Sequence, residues 1–298
     1  MQRFFLPLMF AGCSCCFSLS AADEEYVTEG VPDFVVELAD DAATPEVPAL
    51  FRDDALLDES HSNRELGVNV YTSPSIAKIF SQLEDLPPVP DEYVQRKRSP
   101  RLSTASGKVA LEMGFLLADG FIAVCNGSWD DVKPIAHELN RYGRALGVGS
   151  KMETHSAALL EEVGNKRRFK KILTGTQSDV NAELADLGDP DLAHLIALGG
   201  WVRAYEASTA ALCEEFYEED AAIVFYPDAP DYFSAILRGI DPETARKLDI
   251  AQMCALLDEM TRLMTLAEGE VPTLQKVQQL RMVTGKLAAL MVGAEYAH

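Results

Sequence analysis

The stretch from Val109 to Cys125 reads VALEMGFLLADGFIAVC and is the most apolar part of the chain beyond its N-terminus. A membrane span needs about 20 predominantly apolar residues, and acidic side chains within a span are costly in lipid. This stretch is shorter and carries Glu112 and Asp119. It therefore predicts a buried core helix of a globular domain.

Small residues recur every four positions along this predicted helix, at Ser106, Ala110, Gly114 and Ala118. Positions four apart lie on one face of an α-helix, so the stripe allows a second helix to approach closely. A second apolar segment contains the pair Gly199-Gly200, which also permits a close backbone contact. We expect these two helices to pack against each other.

Helical periodicity continues almost to the C-terminus, with helix start signals at several places. A capping acid precedes a first-turn proline at Asp189-Pro190 and Asp241-Pro242, and Ser150-x-x-Glu153 matches a capping box. We predict helices over residues 103–126, 129–147, 151–173, 178–187, 190–219, 229–238, 242–267 and 272–296. Only Ala222 to Tyr226 suggests a strand. The predicted fold class is all-α, a bundle of about seven or eight helices.

The N-terminal segment has the three parts of a secretory signal peptide. A basic start at Arg3 is followed by the apolar run from Phe4 to Phe17 and by the small residues from Ser18 to Ala22. Residues 1–22 are therefore predicted to direct export.

Within the signal peptide, Phe10-Ala11-Gly12-Cys13 resembles a bacterial lipobox, in which the cysteine is lipidated. Lipidation at Cys13 and ordinary cleavage after Ala22 are both open on this pattern. The predicted location is the bacterial periplasm or, with the anchor, the outer membrane.

Residues 23–72 form a predominantly acidic, poorly periodic segment that contains several helix breakers. Such sequences tend to stay extended, because they bury too little apolar surface to offset the entropy of ordering. We interpret this segment as a linker or stalk and residues 73–298 as the helical domain.

The overall charge excludes some partners. The formal net charge is −21 and the pI is near 4.6, whereas nucleic-acid binding requires an excess of Lys and Arg. We therefore expect no nucleic-acid partner and contact with a membrane only through a lipid anchor. The basic runs 96–98 and 166–171 are expected on solvated surfaces, with docking of the acidic segment or of an anionic envelope component as alternatives.

Glu112 and Asp119 are the main candidate site residues. Seven residues apart on a helix, they lie on one face, separated by roughly 10 Å along its axis. A buried carboxylate needs a cation, a hydrogen-bond donor or a metal, and Arg203 in the second apolar helix is a suitable partner. Three interpretations follow: a buried ion pair, a catalytic carboxylate pair, or a ligand pocket that also includes Trp201, Arg203 and Tyr205.

The remaining ligand-type residues carry no recognisable motif. Cys125, Cys213 and Cys254 are widely spaced, and the histidines lack the spacing of a zinc site. We predict no metal site and no cofactor.

One resemblance rests on three features. They are the apolar segment Ala110 to Asp119, the Leu-Gly ending at residues 145–148, and the Gly-Gly-Trp segment at residues 199–201. This pattern resembles uncharacterised exported, lipoprotein-like helical proteins of bacteria. The resemblance implies a helical exported protein and carries no known activity.

Three classes of function are compatible with these features. The first is a non-enzymatic binding or interaction module that takes an envelope protein or a small apolar ligand in a groove between helices. The second is a structural lipoprotein whose stalk positions a helical head. The third is a hydrolase or lyase that uses the carboxylates of Glu112 and Asp119. The absence of catalytic motifs favours the first class.

Overall fold

The structure, a computed structural model, describes residues 84–297, which all belong to the compact unit Asp53–His298. The predicted signal peptide (1–22), the acidic linker (23–72) and the first residues of the predicted domain (73–298) lie outside the described residues. Between residues 84 and 297 every regular element is helical. The prediction of an all-α bundle is confirmed.

Within this range, eight helices of more than two turns form the bundle. They are α1 (Ser106–Cys125), α2 (Val132–Ala145), α3 (Gly149–Glu161), α4 (Lys166–Asp186), α5 (Pro190–Glu214), α6 (Asp228–Gly239), α7 (Ile250–Met264) and α8 (Leu274–Val292). Single helical turns are present at Asp91–Val94, Trp129–Asp131, Glu218–Ala221 and Ala222–Val224. The suggestion of a strand at Ala222 to Tyr226 is wrong, because Ala222–Val224 forms one of these turns and the next two residues are irregular.

Helices α1 and α5 form the centre of the bundle, and both are buried along most of their length. At Gly114 a Cβ atom would lie 2.0 Å from the carbonyl oxygen of Ile196, and at Gly199 it would lie 2.2 Å from that of Leu111. Distances this short mean that neither position admits a side chain unless the two backbones separate. The close approach predicted from the small residues is confirmed.

The other helices surround this pair in two groups. Helix α2 packs on α1 and α3, and α3 packs on α4; on the other side α6 packs on α7, α7 on α8, and α8 on α5. None of the helices between residues 84 and 297 is long and apolar enough to span a bilayer.

The prediction of separate helices over 151–173 and 178–187 is wrong. The break lies earlier, where Gly164 has a φ of +90° and Asn165 caps α4 by accepting a hydrogen bond from the Arg168 amide. The proposed capping box at Ser150 is also absent, because α3 begins at Gly149 and its N-cap makes no side-chain hydrogen bond.

The prediction of a helix start at Asp241-Pro242 is also wrong. The Asp241 carboxylate accepts hydrogen bonds from the amides of Glu243 and Thr244, at 2.9 and 3.0 Å, and closes a local turn. Helix α7 begins eight residues later, where the Asp249 side chain accepts from the Gln252 amide at 3.1 Å. A carboxylate followed by proline is thus compatible with a turn as well as with a helix N-terminus.

Candidate functional site

Asp119 and Arg203 form an ion pair between the two central helices. Arg203 Nε donates to Asp119 Oδ1 at 2.8 Å, and the two side chains are 1% exposed for Asp119 and 0% exposed for Arg203. The ion pair considered from the sequence is therefore present. Because both groups are removed from water, each depends on the other for compensation of its charge.

Arg203 makes two further contacts. Its guanidinium donates to Glu206 Oε2 at 2.8 Å, one helical turn along α5, and to the backbone carbonyl of Tyr93 in the segment before α1. Burial alone would lower the pKa of Arg203, but the carboxylates of Asp119 and Glu206 outweigh burial and raise that pKa. Arg203 is therefore charged at physiological pH.

Arg96 completes the arrangement from the opposite side of Asp119. Its Nε lies 2.8 Å from Asp119 Oδ2, although the direction of this contact is not that of a hydrogen bond. Arg96 also donates to the backbone carbonyl of Tyr296 at 3.1 Å, and its guanidinium lies over the Phe115 ring. We call Asp119, Arg203, Glu206 and Arg96 the buried network.

The buried network joins distant parts of the chain and balances its own charge. Two carboxylates face two guanidinium groups, and their backbone contacts tie the segment at Tyr93 and the C-terminal segment at Tyr296 to α1 and α5. A buried cluster whose charges balance can hold helices in fixed positions relative to one another. It leaves no net charge for a ligand to neutralise.

Glu112 occupies a different environment on α1. Its carboxylate accepts a hydrogen bond from the Tyr142 hydroxyl at 2.9 Å. Burial raises the pKa of Glu112, while the hydrogen bond from Tyr142 opposes that shift. Beside it lies a cavity of about 10 Å³, which has room for about one water molecule.

Trp201 and Tyr205 lie away from these acids, in the aromatic core next to α6. The Trp201 ring centre is 5.3 Å from that of Tyr205 and 5.4 Å from that of Phe233, and the Tyr205 hydroxyl donates to the carbonyl of Val224 at 2.7 Å. The reason is helical geometry, because residues 201 and 205 share one face of α5 and Arg203 projects from another.

The five predicted site residues therefore divide into three groups. Asp119 and Arg203 belong to the buried network, Glu112 pairs with Tyr142, and Trp201 and Tyr205 belong to the aromatic core. The structure does not bring them together as one pocket lining.

An open cleft lies between α5 and α8, with a volume of about 640 Å³. This is within the range of about 300–1,000 Å³ that is typical of ligand sites. Helix α5 lines it with Glu206 and Cys213, and α8 lines it with Arg281, Met282, Lys286 and Ala289. We call this site the α5–α8 cleft.

Tyr93 connects the α5–α8 cleft to the buried network. Its hydroxyl accepts a hydrogen bond from Arg281 in the cleft, while its carbonyl accepts one from Arg203. The Arg281 guanidinium also lies over the Tyr93 ring, 5.0 Å from its centre. The network thus supports one wall of the cleft.

Several of these residues were not recognised from the sequence. Arg96 was assigned to a solvated basic run, yet it is 8% exposed, because its apolar stem and its charge both find partners inside. Glu206 follows Arg203 by three positions, a spacing that predicts an ion pair on a helix. This contact could therefore have been predicted from the sequence. The cleft residues of α8 carry no motif that distinguishes them from an ordinary amphipathic helix.

The second basic run lies largely on the surface and is partly neutralised within the chain. Lys166 lies 3.1 Å from Glu84, Lys170 also contacts Glu84, and Arg168 pairs with Glu162 at 2.9 Å. The three cysteines in residues 84–297 are free thiols. In this part of the chain no three His, Cys, Asp or Glu side chains converge in a manner suited to a metal ion.

Comparisons of the chain with protein-family models, with curated proteins and with solved structures found no match. The functional argument therefore depends on the buried network, the Glu112–Tyr142 pair and the α5–α8 cleft. Among these, the cleft combines accessible volume with polar groups that face solvent.

Proposed function

We propose that the chain is an exported, non-enzymatic binding module of the bacterial envelope that receives an envelope protein or a small apolar ligand in the α5–α8 cleft. The observation that carries this proposal is the open volume of about 640 Å³ between two long helices. One of these helices, α5, is held by buried ion pairs. A rigid wall beside an open volume reduces the cost of ordering on binding.

The environment of Asp119 supports a binding function better than an acid–base one. Both carboxylate oxygens lie 2.8 Å from guanidinium nitrogens, and the side chain is 1% exposed. A general acid or base must lie within hydrogen-bonding reach of the proton that it transfers. Both oxygens of Asp119 instead face arginine side chains away from solvent, so a reaction that uses Glu112 and Asp119 as a pair has little support from this geometry.

Hydrogen–deuterium exchange tests the binding function. The purified protein is exposed to a panel of anionic, cationic and neutral amphiphiles and of short peptides, and exchange is followed along the chain. We expect at least one class to slow exchange in α8 between Gln278 and Ala289. Protection confined to other regions, or none with any member of the panel, would contradict a binding function for the cleft.

Export and anchoring form a separate part of the proposal and depend on residues 1–22. If Cys13 is lipidated, Cys13→Ser should move the protein from the membrane fraction to the soluble fraction of a bacterial host, because the variant cannot carry an acyl chain. Cys15→Ser is the matched control and should leave the partition unchanged. If Cys13→Ser and the unmodified protein partition equally, the lipid anchor at Cys13 is rejected and cleavage after Ala22 is the remaining alternative.

A further inference from the structure

The α5–α8 cleft contains two cations that have no acidic partner among the described residues. Arg281 donates a hydrogen bond to the hydroxyl of Tyr93, and Lys286 is exposed at the cleft wall. Within residues 84–297 neither side chain forms an ion pair. By contrast, Arg141, Lys170 and Arg203 each lie against a carboxylate.

Arg281 and Lys286 are distinguished by lining the same cleft, since other exposed bases such as Arg144 and Lys171 also form no ion pair among the described residues. Acids outnumber bases 47 to 26, so partners for two cations are abundant in the chain as a whole. Glu206 also lines the cleft, but its carboxylate is hydrogen-bonded to Arg203 in the buried network. Among the described residues of the cleft lining, Arg281 and Lys286 are therefore the charged side chains that no carboxylate contacts.

Arg281 retains hydrogen-bonding capacity for an oxyanion. A guanidinium has five N–H donors in a planar fork that matches carboxylate and phosphate oxygens. The hydrogen bond to Tyr93 uses only one of these donors. The contact with the Tyr93 ring and hydroxyl holds the guanidinium in place, which reduces the entropy lost when it binds an anion.

The cleft also presents apolar surface next to these cations. Met282 is 57% exposed, which is high for a large apolar side chain, and Ala289 lies further along the same helix. From Gln278 to Ala289, α8 extends roughly 16 Å at 1.5 Å per residue. That length accommodates an alkyl chain of medium size beside the two charges.

We infer that the α5–α8 cleft binds amphipathic anions that carry one oxyanion headgroup, a carboxylate or a phosphate, on a single alkyl chain. The headgroup binds Arg281 and Lys286, and the chain lies along Met282 and Ala289. This inference rests on the proposed binding function of the cleft and names the ligand class. The shared chemistry is the oxyanion on an apolar chain, and free fatty acids and single-chain phospholipids are its two sources.

Calorimetric titration with four ten-carbon probes tests this ligand class. Decanoate and decyl phosphate carry the oxyanion, while 1-decanol and decyltrimethylammonium provide neutral and cationic headgroups on the same chain. We expect the oxyanions to bind at one site and the other two probes at least about fivefold more weakly. Stronger binding of decanoate favours a fatty-acid source, and stronger binding of decyl phosphate favours a phospholipid source.

A matched pair of variants assigns the binding to the cleft. Lys286→Gln should weaken decanoate binding by about fivefold, because it removes one partly solvated charge contact. Lys171→Gln, which removes an exposed charge from α4, should leave the affinity unchanged. Because both side chains are exposed, we expect both variants to fold normally, and the two unfolding temperatures serve as the check.

The outcomes separate the ligand class from the binding function. Equal affinity for decyltrimethylammonium and decanoate, or equal effects of Lys286→Gln and Lys171→Gln, overturns the anionic ligand class. If exchange protection of the cleft nevertheless appears with another class of probe, the binding function survives. If no probe protects the cleft, both proposals fail.

Discussion

The buried network and the α5–α8 cleft are neighbouring sites that differ in whether their charges are paired. In the network, Asp119 and Glu206 neutralise Arg203 and Arg96 away from solvent. In the cleft, two cations lie at an open surface with no acidic partner among the described residues. Tyr93 contacts both sites, through its carbonyl and its hydroxyl.

This difference separates charges that hold the fold from charges that are available for binding. Removing one member of a neutral buried network leaves its partner desolvated and uncompensated, so stability falls steeply. Removing a solvated cation changes stability little, because water already compensates its charge. Substitutions in the two sites should therefore have opposite effects on stability and on binding.

Asp119→Asn should produce the largest loss of stability. The amide keeps the shape of the side chain but removes its charge, so Arg203 and Arg96 share only Glu206 as a counter-ion within the buried network. We expect the free energy of unfolding to fall by about 3–5 kcal/mol, as for a broken buried ion pair. Urea denaturation followed by circular dichroism measures this loss.

The matched control is Asp258→Asn, which removes the carboxylate from the solvent-exposed pair with Arg238. It should change stability little, because water screens that pair and the amide oxygen of the variant can still accept the hydrogen bond that Ser234 donates to Asp258 Oδ1 at 2.7 Å. Equal denaturation midpoints for Asp119→Asn and the unmodified protein would show that the buried pair does not hold the helices together.

Gly114→Ala should have the next largest effect, because α1 and α5 are in backbone contact at this position. The added Cβ atom would lie 2.0 Å from the Ile196 carbonyl oxygen, so the helices must separate at a cost of about 1–3 kcal/mol. A Gly114→Ala variant as stable as the unmodified protein in urea denaturation would contradict the close approach of α1 and α5.

Gly175→Ala in α4 is the control for this substitution. Among the described residues, no atom outside the adjoining helix backbone lies within 4 Å of the place that the added methyl group would take. The variant should therefore be more stable than the unmodified protein by about 0.5–1 kcal/mol, through improved helix propensity.

Glu112→Gln should have the smallest effect among the buried positions, and one that depends on pH. Burial raises the pKa of Glu112, so the folded protein holds this proton more tightly than the unfolded chain does. The resulting stabilisation is present below the ordinary carboxyl pKa and is lost as the pH rises through the raised pKa. The glutamine variant should therefore be more stable than the unmodified protein once the pH exceeds the raised pKa of Glu112.

Denaturation of the Glu112→Gln variant over a series of pH values measures this effect. We expect the pH dependence of stability to be weaker in the variant between the ordinary carboxyl pKa and neutral pH. The Tyr142 hydroxyl can still donate to the amide oxygen, so its hydrogen bond is preserved. An unchanged pH profile would mean that Glu112 does not titrate differently in the folded and unfolded chains.

The sequence allowed prediction of the central helices and their contact but not of the site as a whole. The apolar character of α1, the small residues facing α5 and the Asp119–Arg203 pair all follow from helical spacing. The predicted pocket that joined Trp201 and Tyr205 to the acids is absent, because these two aromatic residues lie on a different face of α5 from Arg203. Arg96 was misread because a local run of bases gives no information about burial by distant segments.

The α5–α8 cleft could not be predicted from the sequence for a related reason. Its walls come from residues about 80 positions apart, such as Glu206 and Lys286, and no local pattern encodes the space between two packed helices. That Arg281 and Lys286 lack an acidic partner within residues 84–297 becomes visible only when the neighbours of each side chain are known. The start of α7 was missed for a different reason, because the Asp241 carboxylate closes a local turn instead of capping a helix.

A crystal structure of the protein grown with decanoate tests the central distinction most directly. Our account predicts that the carboxylate lies within hydrogen-bonding distance of Arg281 or Lys286, with the chain along Met282 and the Asp119–Arg203 contact unchanged. Decanoate bound to Arg203 or Arg96 with Asp119 displaced would contradict it, because the buried network would then be the binding site and the cleft would not.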